Sequence, residues 1–170
     1  MLRAMMRFAV LGSGSAGNSA LLESGETRVL IDAGLSAKQL TLRLGAIGIC
    51  PDSIDAILLT HEHGDHIGGL DVFLKTRAIP IYTNPMTREA FEYRLKRSRP
   101  KWQLFESGQD FQIGSLKIQA VPILHDAADP VGFRIESAHH RLVYLSDVGY
   151  ATTRVKQALR GADIAFLETN

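Results

Sequence analysis

Between Thr60 and His66 the chain reads THEHGDH, directly after the apolar run Ala56 to Leu59, so three imidazoles and the Asp65 carboxylate fall within six residues. Divalent metals of borderline softness, zinc above all, favour imidazole nitrogen together with carboxylate oxygen, and a catalytic ion keeps one position open for water. His61, His63, Asp65 and His66 are enough to begin two such sites. If strand geometry persists here, alternation with period two points His61 and His63 to one side, where they can share an ion. Gly64 then reads as the point where the backbone turns, aiming Asp65 and His66 at a second ion. The plainer alternative, a solvated loop with Asp65 capping a helix, accounts for one histidine more easily than for three. The cluster is nevertheless short of ligands, and a fold for this chain has to bring the others from a distance.

Composition sets the scale of that fold. At 170 residues, 45% hydrophobic and 22% charged, the chain suits one compact domain, residues 1–170, with a buried core. Its single cysteine, Cys50, excludes an intrachain disulfide and a cysteine-based zinc site. The opening MLRAMMRFAVLG runs at once into polar, glycine-rich GSGSAGN, which leaves no signal-peptide core and no spanning helix. The expectation is a cytoplasmic protein with no membrane partner, and Met5 or Met6 is an alternative start. Oligomeric state leaves no mark in the sequence.

Short strands and helices alternate without repeats. Strands are expected at Arg7 to Leu11, Ser19 to Glu23 and Thr27 to Asp32, the last two forming a hairpin across Ser24-Gly25-Glu26. Ser36 and Gln39 form a capping box before an apolar stripe of Leu40, Leu44 and Ile47. A strand from Ala56 to Thr60 leads into the cluster, and a helix is expected over Ile67 to Lys75. After a strand at Ile79 to Thr83, Asn84-Pro85 starts a helix expected to run toward Lys96. Strands follow at Trp102 to Phe105, Phe111 to Ile113, Leu116 to Val121, Val131 to Glu136 and Arg141 to Ser146. A last helix, Thr153 to Arg160, stops at Gly161 before the strand Ile164 to Glu168. This order predicts a layered α/β or α+β domain with sheet beneath helices, and ligand chemistry in loops at strand ends.

Two further candidate ligands lie at such ends. His125, in PILHDAADP, can complete three imidazoles with His61 and His63, and Asp147, in LSDVG, can bridge two ions through its two oxygens. His139 and His140 sit in a polar turn and read as surface residues. Gly12, Gly14 and Gly17 spell GxGxxG, with Asp32 about twenty residues on, as in a dinucleotide fold. That fingerprint needs a helix at the glycines, whereas a hairpin is expected, so no nicotinamide cofactor is assigned. Asp32 reads instead as support for a ligating histidine. Arg94, Lys96, Arg97, Arg99 and Lys101 crowd between Phe91, Tyr93 and Trp102, a pattern compatible with nucleic acid and equally with the solvated end of one helix.

THEHGDH, with LIDAG upstream, His125 and then Asp147 at a strand end, resembles the metallo-β-lactamase superfamily, whose HxHxDH motif carries a dinuclear metal site in an αββα sandwich. GSGSAGNS, THEHGDHIGGL, HDAADPVGFRI, LSDVGY and LETN, in order over nearly all of the chain, resemble its YycJ/WalJ-like subgroup. The resemblance implies that His61, His63 and His125 hold one metal and that Asp65, His66 and Asp147 hold the other, Asp147 bridging. It implies two divalent ions, zinc or alternatively manganese, and a subgroup role as a phosphodiesterase or exonuclease in DNA metabolism. Members of the superfamily usually carry a further histidine and further strands and helices beyond the last strand here, so the expectation is a four-layer sandwich with its second half incomplete and a weak second metal site.

The reaction expected is hydrolysis by a hydroxide formed between two metal ions, with Asp65 orienting it while ligating the second ion. Asp126 and Glu168 are candidates to protonate the leaving group. A nucleic-acid phosphodiester is the favoured substrate, supported by the basic and aromatic stretch and by the loop Ser13 to Asn18, whose N–H groups can cradle phosphate. The alternatives are a small thioester or lactone hydrolase and a metal-stabilised binding module without catalysis.

Overall fold

The computed structural model describes residues 5–169. Asn170, the last residue of the LETN segment, lies outside them. Two sheets lie face to face. The first contains β1 (Met6–Gly12), β2 (Ser19–Ser24), β3 (Thr27–Ile31), β4 (Ala56–Leu58), β5 (Pro80–Thr83) and β6 (Lys101–Leu104), in that spatial order. It is antiparallel through β3 and parallel from β3 to β6. The second runs β11 (Ile164–Thr169), β10 (Arg141–Val148), β9 (Val131–Glu136), β8 (Leu116–Pro122), β7 (Asp110–Ile113), with only the β10–β11 pair parallel.

Strand alternation divides the apolar side chains among three cores. Leu22, Val29, Ile31 and Leu58 from the first sheet meet Ile118, Phe133, Ile135 and Tyr144 from the second. The opposite face of the first sheet, with Leu21, Leu30 and Ile57, is covered by Leu40, Leu44, Leu70, Phe73 and Phe91 from helices. The outer face of the second packs Val143 and Leu145 against Val155 and Ala158 of a last helix. Helix, sheet, sheet, helix is the four-layer αββα sandwich expected from the resemblance.

The helices are α1 (Ala37–Ala46), α2 (Gly64–Ile67), α3 (Leu70–Phe73), α4 (Pro85–Phe91) and α5 (Thr153–Leu159). Ser36 caps α1 by accepting from the Gln39 N–H, and Asn84 caps α4 by accepting from the Thr87 N–H at 2.8 Å. Two helices depart from expectation. The one expected over 67–75 starts at Gly64 and is broken at Gly68-Gly69, because a Cβ on Gly69 would lie 1.9 Å from the Leu35 carbonyl oxygen. The helix expected to reach Lys96 ends at Phe91, which is buried edge-on against Trp102. Beyond a single tighter turn, Glu92–Arg94, the N–H groups of Lys96, Arg97 and Ser98 donate to the Asp71 carboxylate rather than to a helix.

That break also relocates the basic segment. β4, β5 and β6 run parallel, so Lys101 opens β6 at the end of the sheet away from the one where β4 delivers the histidine cluster. The basic and aromatic stretch therefore does not line the cluster.

Candidate metal centre

Every candidate ligand sits where a strand gives out toward one rim of the sandwich. β4 stops at Leu58 because the next inward N–H, on Thr60, donates to the Asp32 side chain at 2.9 Å instead of to a neighbouring strand. The chain bends at Thr60, residues 61–63 belong to no strand or helix, and from His63, which is extended (φ −63°, ψ 149°), α2 begins at Gly64. A Cβ on Gly64 would meet nothing within 4 Å and its φ is not positive, so the helix start, not glycine's freedom, makes the turn once assigned to it. Asp65 lies in the first turn of α2 and is not its cap, which is His63. His125 follows β8. Asp147 was expected beyond its strand, but β10 continues to Val148 and carries Asp147 on a bulge. Leu145 pairs with Leu167 and Val148 with Thr169, leaving one extra residue that re-aims the side chain.

The three histidines of the first group converge. His125 Nε2 and His63 Nδ1 face each other at 3.2 Å, and the His61 ring lies 4.6 Å from that of His63 and 5.0 Å from that of His125. Two nitrogens bound to one tetrahedral zinc at the usual ~2.0–2.1 Å stand about 3.3 Å apart, so this spacing suits a shared ion. His61 is fully buried, and its Nε2 has no hydrogen-bond partner among the described residues. Its Nδ1 lies 3.0 Å from Thr60 Oγ1, whose own proton goes to Asp32 at 2.8 Å, so the His61 Nδ1 donates and Nε2 keeps its lone pair. Burial, then the neighbouring rings of His66, His63 and His125, lower His61 from 6.5 to about 2. It is held neutral, as a metal ligand must be.

The second group is anionic. His66 Nε2 lies 2.9 Å from Asp147 Oδ2 and 3.7 Å from Asp65 Oδ2, and Asp147 Oδ2 is 4.0 Å from His61 Nε2. One donor atom each from His61, His66 and Asp147 falls within 4.8 Å of the others, as it does for His61, His63 and His125. Asp65 stands further back, accepting from Asn18 Nδ2 at 3.1 Å. On its far side His66 Nδ1 donates to Asp32 Oδ2 at 2.8 Å, both residues being fully buried. Burial opposes charge on His66, but the Asp32 carboxylate, with Asp65 and Asp147, outweighs it and raises the ring to about 9. Asp32 therefore takes the supporting role expected of it. Asp32 and Asp147 are the two non-glycine residues with positive φ among those described, 58° and 53°, so backbone strain is concentrated at these two carboxylates.

Sequence reasoning missed three residues. Asn18 is buried, accepts from the Gly14 N–H at 2.8 Å, and turns its amide toward Asp65 and His66. Thr60 links Asp32 to both rings. Glu62 accepts from the Ala128 N–H at 2.8 Å, fastening the loop that carries His125. Position inside or beside the motif was the only signal for Thr60 and Glu62. The glycine loop leads into strand β2, not a helix, so the dinucleotide geometry fails, and Gly34 explains LIDAG: its Cα is so close to the Asp65 carbonyl that a Cβ would lie 1.6 Å from the oxygen. Of the two candidate proton donors, Asp126 is exposed and Glu168 accepts from the Ser13 hydroxyl at 3.2 Å. His139 and His140 lie in the β9–β10 turn. No helix among the described residues is long and apolar enough to cross a membrane.

Known proteins resemble this chain in sequence and in fold. The chain is 36% identical over 167 residues to the exodeoxyribonuclease WalJ of Streptococcus pneumoniae, a match covering 96% of this chain and 62% of that protein. It is 33% identical to the exodeoxyribonuclease YycJ of Bacillus anthracis, over 97% of this chain and 63% of that one. The chain thus spans less than two thirds of the length of these curated relatives. Among solved structures, the metallo-β-lactamase fold protein YhfI of Bacillus subtilis superposes with a TM-score of 0.78 at 24% identity, covering 94% of this chain and 69% of that one. Zn(2+)-bound PqqB of Methylobacterium extorquens gives 0.79 at 20%, covering 96% and 72%. Residues 27–170 match the beta-lactamase superfamily domain, and with the sandwich and the histidine cluster in place the chain belongs to that superfamily.

Proposed function

We propose that this domain is a metal-dependent phosphodiesterase of the exodeoxyribonuclease type, holding two divalent ions, zinc or manganese. The observation that carries the reading is the His61–His63–His125 constellation, with an orphaned, neutral Nε2 on His61 facing two nitrogens 3.2 Å apart. His61, His63 and His125 would hold one ion, and His66, Asp65 and Asp147 the other. Bound there, the ions would supply a water acidified to near neutral pH and charge to stabilise the developing phosphorane.

The chain's own groups do the positioning. Asp32 fixes His66 through Nδ1, and Thr60 fixes His61 through Nδ1; His61 offers a bare Nε2, whereas His66, protonated at neutral pH beside its carboxylates, would give up its Nε2 proton to take an ion. Asn18 donates to the Asp65 carboxylate at 3.1 Å, and in this reading Asp65 would take up the proton released by the attacking water. The names of the WalJ and YycJ relatives support DNA as the substrate.

Incubating the metal-loaded chain with end-labelled single- and double-stranded DNA, beside a thioester panel, tests this. The expected result is metal-dependent release of nucleotides, abolished by His61→Ala. Thioester turnover without DNA cleavage would replace the reading with a thioester hydrolase, and no turnover of either would leave a non-catalytic binding module.

A further inference from the structure

A cleft of about 730 Å³ lies on the outer face of the second sheet, and no histidine lines it. Its walls include Gln109, Gln119, Arg134, Arg154 and Gln157. A second hollow of about 390 Å³ shares Pro122 and Arg154 with it and extends to Leu124, the residue before His125. Sharing those two residues, the hollows make a groove along α5 that ends at Leu124, the chain neighbour of the candidate ligand His125. No carboxylate lines either stretch.

The groove's two arginines differ in state. Arg134 is committed: it donates to the carbonyls of Ala158 and Arg160 and pairs with Glu136, fixing α5 to the sheet. Arg154 is exposed and has no hydrogen-bond or ion-pair partner among the described residues. Leu124, which lines the smaller hollow, is 57% exposed, and Tyr150, which lines neither hollow but whose carbonyl accepts from the N–H of the lining residue Thr152 at 3.0 Å, is 66% exposed. They belong to the segments that carry His125 and Asp147, and those segments are tied together by the Gly149 N–H to Leu124 carbonyl bond at 3.1 Å. An aromatic platform followed by an unpaired cation and a run of amide side chains is the layout of a sequence-tolerant single-strand track, where bases stack and a guanidinium meets phosphate.

We propose that this groove carries single-stranded nucleic acid leading to or from the metal centre, with a base against Tyr150 and a phosphate on Arg154. The inference rests on the phosphodiesterase reading, because only a polymer substrate needs a surface beyond the reacting bond. A cleft of this size falls within the ~300–1,000 Å³ of pockets that hold nucleotide-sized ligands.

The test compares wild type, Arg154→Gln, Tyr150→Ala and Lys156→Gln, the last removing an exposed cation of α5 that does not line the groove. A fluorescent 12-residue single-stranded oligonucleotide reports affinity at several salt concentrations, and manganese-dependent hydrolysis of bis(p-nitrophenyl) phosphate reports the metal centre. Arg154→Gln and Tyr150→Ala should each weaken oligonucleotide binding roughly five- to tenfold, and Arg154→Gln should also lower the salt slope by about one. Lys156→Gln should match wild type, and all four proteins should hydrolyse the small diester alike. Unchanged binding in Arg154→Gln and Tyr150→Ala overturns the proposal, as does an equal loss in Lys156→Gln or a parallel loss of small-diester turnover. Binding that depends on Arg154 and Tyr150 in a protein that hydrolyses no phosphodiester would sustain the groove and refute the catalytic reading.

Discussion

Asp32 and His66 form a fully buried pair, the imidazole Nδ1 donating to the carboxylate at 2.8 Å, and the same carboxylate also accepts the Thr60 N–H and hydroxyl. One side chain thereby ends β4 and orients a candidate ligand on the next turn. Asp32→Ala leaves three buried donors unsatisfied and should cost about 3–5 kcal/mol of stability in urea unfolding. In protein that still folds, zinc affinity should fall by about 10–100-fold. An Asp32→Ala chain with wild-type zinc affinity would show that His66 needs no such support.

Glu62 tests whether the loop to His125 is held from the motif itself. Its bond to the Ala128 N–H is solvent-accessible, so Glu62→Ala should change stability by less than about 1 kcal/mol. Zinc affinity, measured by competition with a chromophoric chelator, should nonetheless drop about tenfold, with Glu62→Gln retaining most of it. Equal affinity in all three proteins would mean that the loop holds its shape without Glu62.

Two glycines make a contrasting pair. A Cβ at Gly34 would lie 1.6 Å from the Asp65 oxygen, and backbone cannot yield that far, so Gly34→Ala should destabilise by more than about 4 kcal/mol or prevent folding. Gly64, inside the motif, has open space, and Gly64→Ala should stay within about 1 kcal/mol of wild type. Thermal unfolding of the two variants side by side reads the difference.

The pH dependence of the helical face centres on Asp71. Burial pushes this carboxyl up, but the N–H groups of Lys96, Arg97 and Ser98 and the Ser98 hydroxyl together hold it below 3.8. A carboxyl depressed on folding adds stability above its unfolded pKa and loses it as pH falls through the folded one. Asp71→Asn should therefore be less stable than wild type at pH 7, with the gap closing as pH drops below 3.8. A gap of constant size in urea midpoints down to acid would show that the charge contributes nothing.

How much of this was legible in the chain can be judged element by element. Ser36 and Asn84 cap their helices as the sequence indicated, because a cap depends on residues three positions apart. The helix breaks at Gly68-Gly69 and Phe91 escaped prediction because they answer to Leu35, Trp102 and Asp71, which are remote in sequence. The site divides in the same way. THEHGDH named four donors, since their chemistry and spacing are local properties of seven residues. Which nitrogen each ring presents, how a bulge within β10 aims Asp147, and that Asn18 and Thr60 contact the candidate ligands were settled by packing, where buried donors and acceptors find partners remote in sequence. The sequence by itself determined the kind of chemistry. The tertiary structure decided its geometry, and carried the basic segment after α4 to the end of the sheet away from the cluster, because β4, β5 and β6 run parallel.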